Sequence, residues 1–391
     1  MTTETRLPLE GVKILEMGSL IAGPYAGSVL AQFGAEVIKI EPPGTGDPLR
    51  KWRSMRGDTS LWWYVQSRNK KSLALDLKTD EGRDTVRELS KSADILIENF
   101  RPGTLERWGL GWKELSAANP GLVMLRISGY GQSGPRRDQP GFAAIAESIG
   151  GLRHVSGYPD RPPCRSGVSI GDTLASLYGV IGVLMALHER NVNGGEGQVV
   201  DVALYEAVFS VMESLVPEYC ENGFIRERSG GALPGISPSN TYECADGNYV
   251  VIAGNADSIF KRLMVAIGRS DLANDPGLAH NDGRVGRNDE LDDAISKWTS
   301  RHSCDDVVAC LEEAAVPVGK IYTAEDIVND PHFVARDMLE THRLPDDHPI
   351  TIPGIVPKLS KTPGRTKWLG PDLDANREEI LAAIKPEGAS Q

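Results

Sequence analysis

The sequence predicts an α/β protein, with a parallel sheet wrapped by helices in the first half, a smaller α+β region after it, and a polar tail. Three observations carry that expectation. Short apolar runs alternate with amphipathic stretches, the pattern of β-α-β units. A Gly/Ser/Pro-rich segment, Arg226 to Asn240, interrupts the chain. The length of 391 residues exceeds the usual size of one core.

In chain order, Val12 to Met17 reads as a strand, Pro24 to Phe33 as a helix and Val37 to Ile40 as the next strand. Further strands are expected at Ser72 to Leu77, Asp94 to Ile97 and Leu122 to Ser128. Thr79 to Ser90 reads as a helix, because Thr79 can cap it and Asp80 and Glu81 favour its positive end. Gly171-Asp172 opens a helix to about Glu189, with Asp172 as its expected cap. Leu174, Leu177, Ile181, Leu184 and Met185 spread round most of its circumference, so it is expected to be buried. After Asn193-Gly194-Gly195, Gln198 to Val202 reads as a strand and a helical stretch runs through Glu213. Beyond the break come a strand, Tyr249 to Ala253, helices at Ile259 to Ile267 and Cys304 to Ala314, and a last short helix, Ala375 to Ile384.

Composition narrows the function. A formal net charge of −12 opposes binding to nucleic acid or an anionic membrane through a general basic field. A polyanionic ligand would need a local basic pocket. Five cysteines without a C-x-x-C pair suggest reduced thiols rather than a zinc site or a disulfide framework. Met1 to Glu10 is polar with no apolar run, so cytoplasm is the expected location. The longest apolar stretch, Leu174 to Leu187, is interrupted by Ser176, Gly179 and Gly182 and reads as too short to span a bilayer.

The first βα junction, Met17-Gly18-Ser19-Leu20-Ile21-Ala22-Gly23-Pro24-Tyr25-Ala26-Gly27, does not fit the dinucleotide fingerprint, which removes support for a nicotinamide or flavin cofactor. Its backbone amides could still meet a phosphate. Basic groups collect at expected strand ends, where open α/β sheets bind ligands: Asn69-Lys70-Lys71, Lys78, Arg101 and Arg107. Trp62-Trp63-Tyr64 could stack on an adenine or simply belong to the core. No G-x-S-x-G elbow or H-E-x-x-H occurs, so hydrolase and metalloenzyme readings have no anchor. Asp172 by itself reads first as a helix cap. The same position also suits a carboxylate nucleophile, since a helix amino terminus keeps it ionised and its N–H groups can stabilise an acyl-transfer oxyanion.

Four ordered segments resemble the formyl-CoA transferase family, the class III CoA-transferases, whose relatives include carnitine CoA-transferase and α-methylacyl-CoA racemase. They are Gly11-Val12-Lys13-Ile14-Leu15-Glu16 through Ala22-Gly23-Pro24 to Gly34-Ala35-Glu36-Val37-Ile38-Lys39-Ile40-Glu41; Asn69-Lys70-Lys71-Ser72 with Asp76-Leu77-Lys78; Glu98-Asn99-Phe100-Arg101-Pro102-Gly103; and Gly171-Asp172 with Gly195-Glu196-Gly197-Gln198-Val199-Val200-Asp201. They span about half the chain. The resemblance implies a Rossmann-like large domain formed by both chain ends (1–225 and 326–391), a linker and small α+β domain at 226–325, and two subunits threaded as an interlocked homodimer. It implies no metal and no redox cofactor, only coenzyme A as substrate.

Asp172 matches the family nucleophile, which passes through a mixed anhydride and an aspartyl-CoA thioester. The positions matching CoA contacts are Ile21, Ala22, Leu75 to Lys78, Asn99, Phe100, Arg101 and Arg107. Where one branch carries an arginine after K-x-E this chain has Pro42, and Arg50 is the expected substitute. The mobile glycine loop corresponds to Gly230-Gly231. The racemase branch has an acid/base histidine where this chain has Phe142, so transfer is expected over racemisation. The alternatives are an acyl-CoA racemase, an intramolecular CoA-transferase, and a non-catalytic CoA-binding subunit. Arg153, His154, Arg161 and Arg165 precede the aspartate and could hold the distal carboxylate of a dicarboxylic acid such as succinate, in transfer from succinyl-CoA.

Overall fold

The computed structural model describes residues 6–384. They fall into two compact units, one made of residues up to 152, 166–215 and those from 334 onward, the other of 153–165 and 216–333. Residues 226–240 contain no helix, and no strand before Ser239.

In the first unit, β1 (Lys13–Glu16), β2 (Glu36–Glu41), β3 (Lys70–Ala74), β4 (Ile95–Glu98), β5 (Val123–Ser128) and β6 (Val199–Ala203) form one sheet. All pairs are parallel, in the order β3-β2-β1-β4-β5-β6. The chain leaves β1 toward β2 on one side and later returns on its other side with β4. That reversal opens a crevice beyond the carboxyl ends of the central strands.

Successive strand residues feed opposite cores, which is why the strands are apolar apart from their charged and polar positions, chiefly near the ends. Ile14, Val37, Ile95 and Val123 pack with α1 (Ala22–Gln32) and a long helix described below. Leu15, Ile40, Leu96 and Met124 pack on the other face, with Val86 and Leu89 of the helix Asp80–Ser90. Thr79 caps that helix as expected, its hydroxyl accepting from the Gly82 amide at 3.1 Å. The helices needed below are α2 (Leu61–Gln66), α3 (Ala143–Ile149) and α4 (Ile170–Asn193).

Strand β3 lies two residues earlier than expected, because Lys70 and Lys71 belong to it although neither is apolar. Its outer edge is covered by the carboxyl-terminal segment. Asp374 accepts from the Ala74 amide at 2.7 Å and Asn376 from the Ser72 amide at 3.0 Å. The Asn69 side chain donates to the Arg365 carbonyl at 2.6 Å and accepts from the Lys367 amide at 2.7 Å. An edge strand paired in this way offers no template for another chain. The tail also holds an antiparallel hairpin, Leu339–Arg343 with Pro349–Pro353, that its polar composition concealed.

Helix α4 departs from expectation in three respects. It has 24 residues and is long and apolar enough to cross a membrane by length and composition, so the reading that it is too short is corrected. Its inner face is made of small residues: a Cβ on Gly179 would lie 2.9 Å from Leu125, and one on Gly182 2.6 Å from Val200. That close approach leaves the larger side chains outside. Leu177, Ile181, Leu184 and Met185 form an exposed stripe, with Met185 66% exposed, so within this chain the helix is half buried rather than buried all round. The helix also starts earlier than expected. Ser169 is the cap and Asp172 sits in the first turn.

The second unit has a three-stranded antiparallel sheet of Ser239–Glu243, Tyr249–Ala253 and Val318–Lys320, with Tyr249–Ala253 central. Helices Asp257–Ala266, Asn288–Thr299 and Cys304–Glu313 cover it. Arg284, fully buried, ties its loops together by donating to the carbonyls of Ser237 (3.0 Å) and Asn255 (2.7 Å).

Gly27 of α1 is another close approach, because a Cβ there would fall 2.0 Å from the Glu16 carboxylate. Gly27→Ala would gain about 1 kcal/mol of helix propensity. Overpacking against a buried ion pair should outweigh that gain, so a net destabilisation of about 1–3 kcal/mol is expected in urea unfolding. A variant as stable as the parent would contradict this packing.

Candidate active site

The first βα turn is fixed by side chains from five other segments. Lys39 of β2 reaches Glu16 at 2.9 Å, Asp47 at 2.8 Å and the Gly18 carbonyl at 2.9 Å. Lys70 of β3 reaches the other Glu16 oxygen at 2.7 Å and the Pro24 carbonyl at 2.6 Å. Asp47 accepts from the amides of Leu20 (3.1 Å) and Leu49 (2.8 Å). Asn99 accepts from the Ser19 amide at 2.8 Å and donates to the Ser19 carbonyl at 2.9 Å. Gln66 of α2 donates to the Leu20 carbonyl. Leu20 is thereby held at φ +65°, a left-handed conformation uncommon outside glycine.

These contacts correct three expectations. Lys70 is buried against Glu16, and Lys71 pairs with Glu36 (2.7 Å) and Glu379 (2.5 Å), so neither stands ready for a ligand at the carboxyl end of the sheet. The Ser19 and Leu20 amides already have acceptors. Arg50 is no substitute for the missing arginine at Pro42, since its guanidinium grips Glu41 through two bonds (2.8 and 2.9 Å) and lies 3.7 Å from the Trp63 ring centroid. Trp63 itself is buried, its indole N–H donating to the Pro371 carbonyl at 2.9 Å.

The charges respond to this enclosure. Burial opposes a charge on Lys39, but Glu16, Asp47 and Glu41 outweigh it and hold the ammonium above the ordinary lysine range. Burial prevails at Lys70 and lowers it to about 8 despite Glu16. At Glu41, burial is overcome by Arg50 and Lys39, which keep the carboxyl below its usual range.

Above the turn lies a cleft of about 510 Å³ at the carboxyl ends of β1, β2, β3 and β4. Met17, Ile40, Leu75 and Leu77 form apolar walls, Phe100 and Trp108 meet edge to face at 5.3 Å, and the loop from Pro42 to Pro48 closes one side. Lys78 is the cation in its wall. Of the expected contact residues, Leu75, Lys78 and Phe100 line this cleft. Ala22 is buried in the core at the start of α1, and Asn99 lies beneath the turn it fixes. Arg101 and Arg107 are exposed and outside the lining, donating to the Asp138 carbonyl (3.1 Å) and the Thr104 hydroxyl (2.9 Å). Ile21 lines a second cavity, of about 420 Å³.

That second cavity adjoins Asp172, since its walls include Ser169 and Thr173 of the first turn of α4. Asp172 is half-buried, and the first turn places its carboxylate at the positive end of a 24-residue helix. Ser176 anchors this turn to α1 by donating to the carbonyls of Asp172 (2.7 Å) and Ala22 (2.6 Å). Gly171 is glycine because a Cβ would lie 3.3 Å from Ala143 and 3.4 Å from Glu147 of α3. Arg153, His154, Arg161 and Arg165 belong to the other compact unit, where His154 faces Glu227 at 3.5 Å and Arg161 lies over Tyr158. Sequence reasoning missed Trp108 and the Pro42–Asp47 loop. A Pro-Pro-Gly-Thr-Gly run directly after a strand was the available signal.

Residues 9–377 match the family model described as CoA-transferase family III. A succinyl-CoA–D-citramalate CoA-transferase of Chloroflexus aurantiacus is 50% identical over 96% of this chain and 94% of its own length. The alpha subunit of a succinyl-CoA–L-malate CoA-transferase from Chloroflexus aurantiacus is 41% identical over 98% and 90%. A crystal structure of a CAIB/BAIF family protein from Brucella suis superposes with a TM-score of 0.87 at 33% identity, over 97% of this chain and all of that one.

The buried charges give a stability test of the turn. Lys39→Met leaves Glu16 and Asp47 without their shared cation and is expected to cost about 3–5 kcal/mol. Urea denaturation measures it, and a loss below about 1 kcal/mol would show that Lys39 is not the linchpin.

Proposed function

The chain belongs to CoA-transferase family III and is a CoA-transferase, and from that premise we propose that it moves coenzyme A from succinyl-CoA to a dicarboxylic acid through Asp172. The observation that carries the reading is Asp172 itself, a carboxylate in the first turn of a long helix beside a cavity large enough for a short acid. The relatives' shared succinyl-CoA donor supports the choice of donor, and their four- and five-carbon hydroxy-diacid acceptors support the class of acceptor.

In the proposed sequence the Asp172 carboxylate attacks the thioester carbonyl, a C–O bond forms, the C–S bond breaks and CoA leaves as thiolate. The thiolate then attacks the Asp172 carbonyl of the mixed anhydride and releases succinate, leaving an aspartyl-CoA thioester. The acceptor carboxylate attacks that thioester, and the freed thiolate takes its acyl group and restores Asp172. Each intermediate keeps the activation of the original thioester, provided water is excluded. Amides in the first turn of α4 would stabilise the oxyanions.

The 510 Å³ cleft would take the nucleotide end of CoA between apolar walls, with Lys78 at phosphate and Arg101 and Arg107 toward the rim. Leu75 and Phe100 supply contact surface, Ile21 faces the acyl side, and Ala22 and Asn99 act by shaping the turn. Phe142, which cannot move a proton, disfavours the racemase alternative. A cytoplasmic homodimer completes the proposal. The exposed stripe of Leu177, Ile181, Leu184 and Met185 supports burial against a second copy.

Two outcomes test this reading. Asp172→Ala should lower transfer by at least about 10³-fold with CoA binding retained, and hydroxylamine should trap an adduct at Asp172 in the parent alone; undiminished transfer sinks the assignment. In light scattering after size exclusion, the parent should run as a dimer and Ile181→Glu with Met185→Glu as a monomer. A monomeric parent would contradict the homodimer and favour a partner subunit, as in the relative described as an alpha subunit.

A further inference from the structure

We propose that Arg53 is the specificity residue for the distal carboxylate of the acid, an inference that rests on Asp172 being the acylated group. The cavity of about 420 Å³ has Ile21, Trp62, Gln66, Ser169 and Thr173 in its walls, and Arg53 is the cation among its lining residues, which include no carboxylate. On an α-helix Ser169, Asp172 and Thr173 fall within one sector of about 100°. Ser169 and Thr173 therefore bring the cavity beside Asp172, at the edge of the same face of the turn.

Arg53 is held for this task by backbone and ring together. Its φ of +58° is the left-handed conformation that an arginine adopts only when its surroundings enforce it. The guanidinium carbon lies 4.7 Å from the centroid of the Trp62 ring, which orients the plane without using its N–H donors. The other arginines of this stretch are already engaged: Arg50 with Glu41, Arg56 with Asp346 at 2.7 Å, and Arg68 with the Pro353 carbonyl at 2.8 Å. Among the described residues, no ion pair involves Arg53.

The cavity thus has on its walls Ser169 and Thr173, from the turn that carries Asp172, an uncompensated planar cation, Arg53, and apolar surface from Ile21 and Trp62. A short dicarboxylate matches that arrangement. One carboxyl reacts at Asp172, the carbon chain covers apolar surface, and the far carboxylate takes the forked donors of Arg53. A monocarboxylate of equal length would make no bond to the exposed guanidinium and would forgo the charge-assisted pair that the dicarboxylate gains.

The experiment compares acceptor acids in the full-length enzyme, with succinyl-CoA as donor, carbon-labelled succinate and carbon-labelled butyrate as matched probes, and kcat/KM for entry of the label into the CoA thioester as readout. Arg53→Gln should lower the succinate-to-butyrate ratio by roughly 10- to 100-fold, mostly through KM for succinate, and Arg53→Lys should restore part of it. An unchanged ratio overturns the proposal, and so does an equal loss on both acids, which would make Arg53 merely structural. Hydroxylamine trapping at Asp172 is run in parallel. An absent adduct in the parent refutes the nucleophile reading, whereas a present adduct with an unchanged ratio refutes Arg53 alone.

Discussion

The site depends on one buried ammonium. Lys39 enters from β2 and joins the end of β1, through Glu16 and the Gly18 carbonyl, to Asp47 in the loop after its own strand. Enclosing these charges is costly unless each finds partners, and here they do: Glu16 has Lys70 on its other oxygen, and Asp47 accepts two backbone amides. A single turn, Gly18 to Ala22, is thus clamped from below by Lys39, from the side by Asn99 and from α2 by Gln66.

That turn contributes to two cavities. Met17 and Gly18 face the cleft at the carboxyl ends of the strands, while Ile21 faces the cavity beside Asp172. A carrier molecule with a nucleotide at one end and a thioester at the other needs both to be held in register. The turn is fixed by side chains of β2, β3 and α2 and by Asn99. Ser176 extends the clamp by bonding the first turn of α4 to the start of α1.

Much of this was legible in the residues. Alternating apolar runs gave the parallel sheet nearly strand for strand, because strands buried on both faces leave an unambiguous pattern. Gly171-Asp172 suggested a helix start within two residues of the true one, the aspartate reading first as its cap, and Leu75, Lys78 and Phe100 fell on the cleft. What failed was anything decided by tertiary charge pairing. Lys70, Lys71 and Arg50 look like ligand cations in one dimension, yet each faces a carboxylate distant in sequence or across a turn. The burial of α4 failed for a related reason. A helix apolar all round cannot report which side meets its own sheet, and only the small residues Gly179 and Gly182 mark the inner face. Arg53 was invisible because its significance lies in having no acidic partner, which no local pattern records.

The central claim is that an oxygen of Asp172 becomes part of each acyl anhydride, and isotope tracing tests it most directly. The enzyme is turned over with acceptor acid carrying heavy oxygen in its carboxylate, then digested, and the peptide containing Asp172 is weighed. Because CoA takes the acyl carbon and leaves the bridging oxygen behind, the account predicts one heavy oxygen in the Asp172 carboxylate and its later appearance in released succinate. Product formed with Asp172 unlabelled would contradict it.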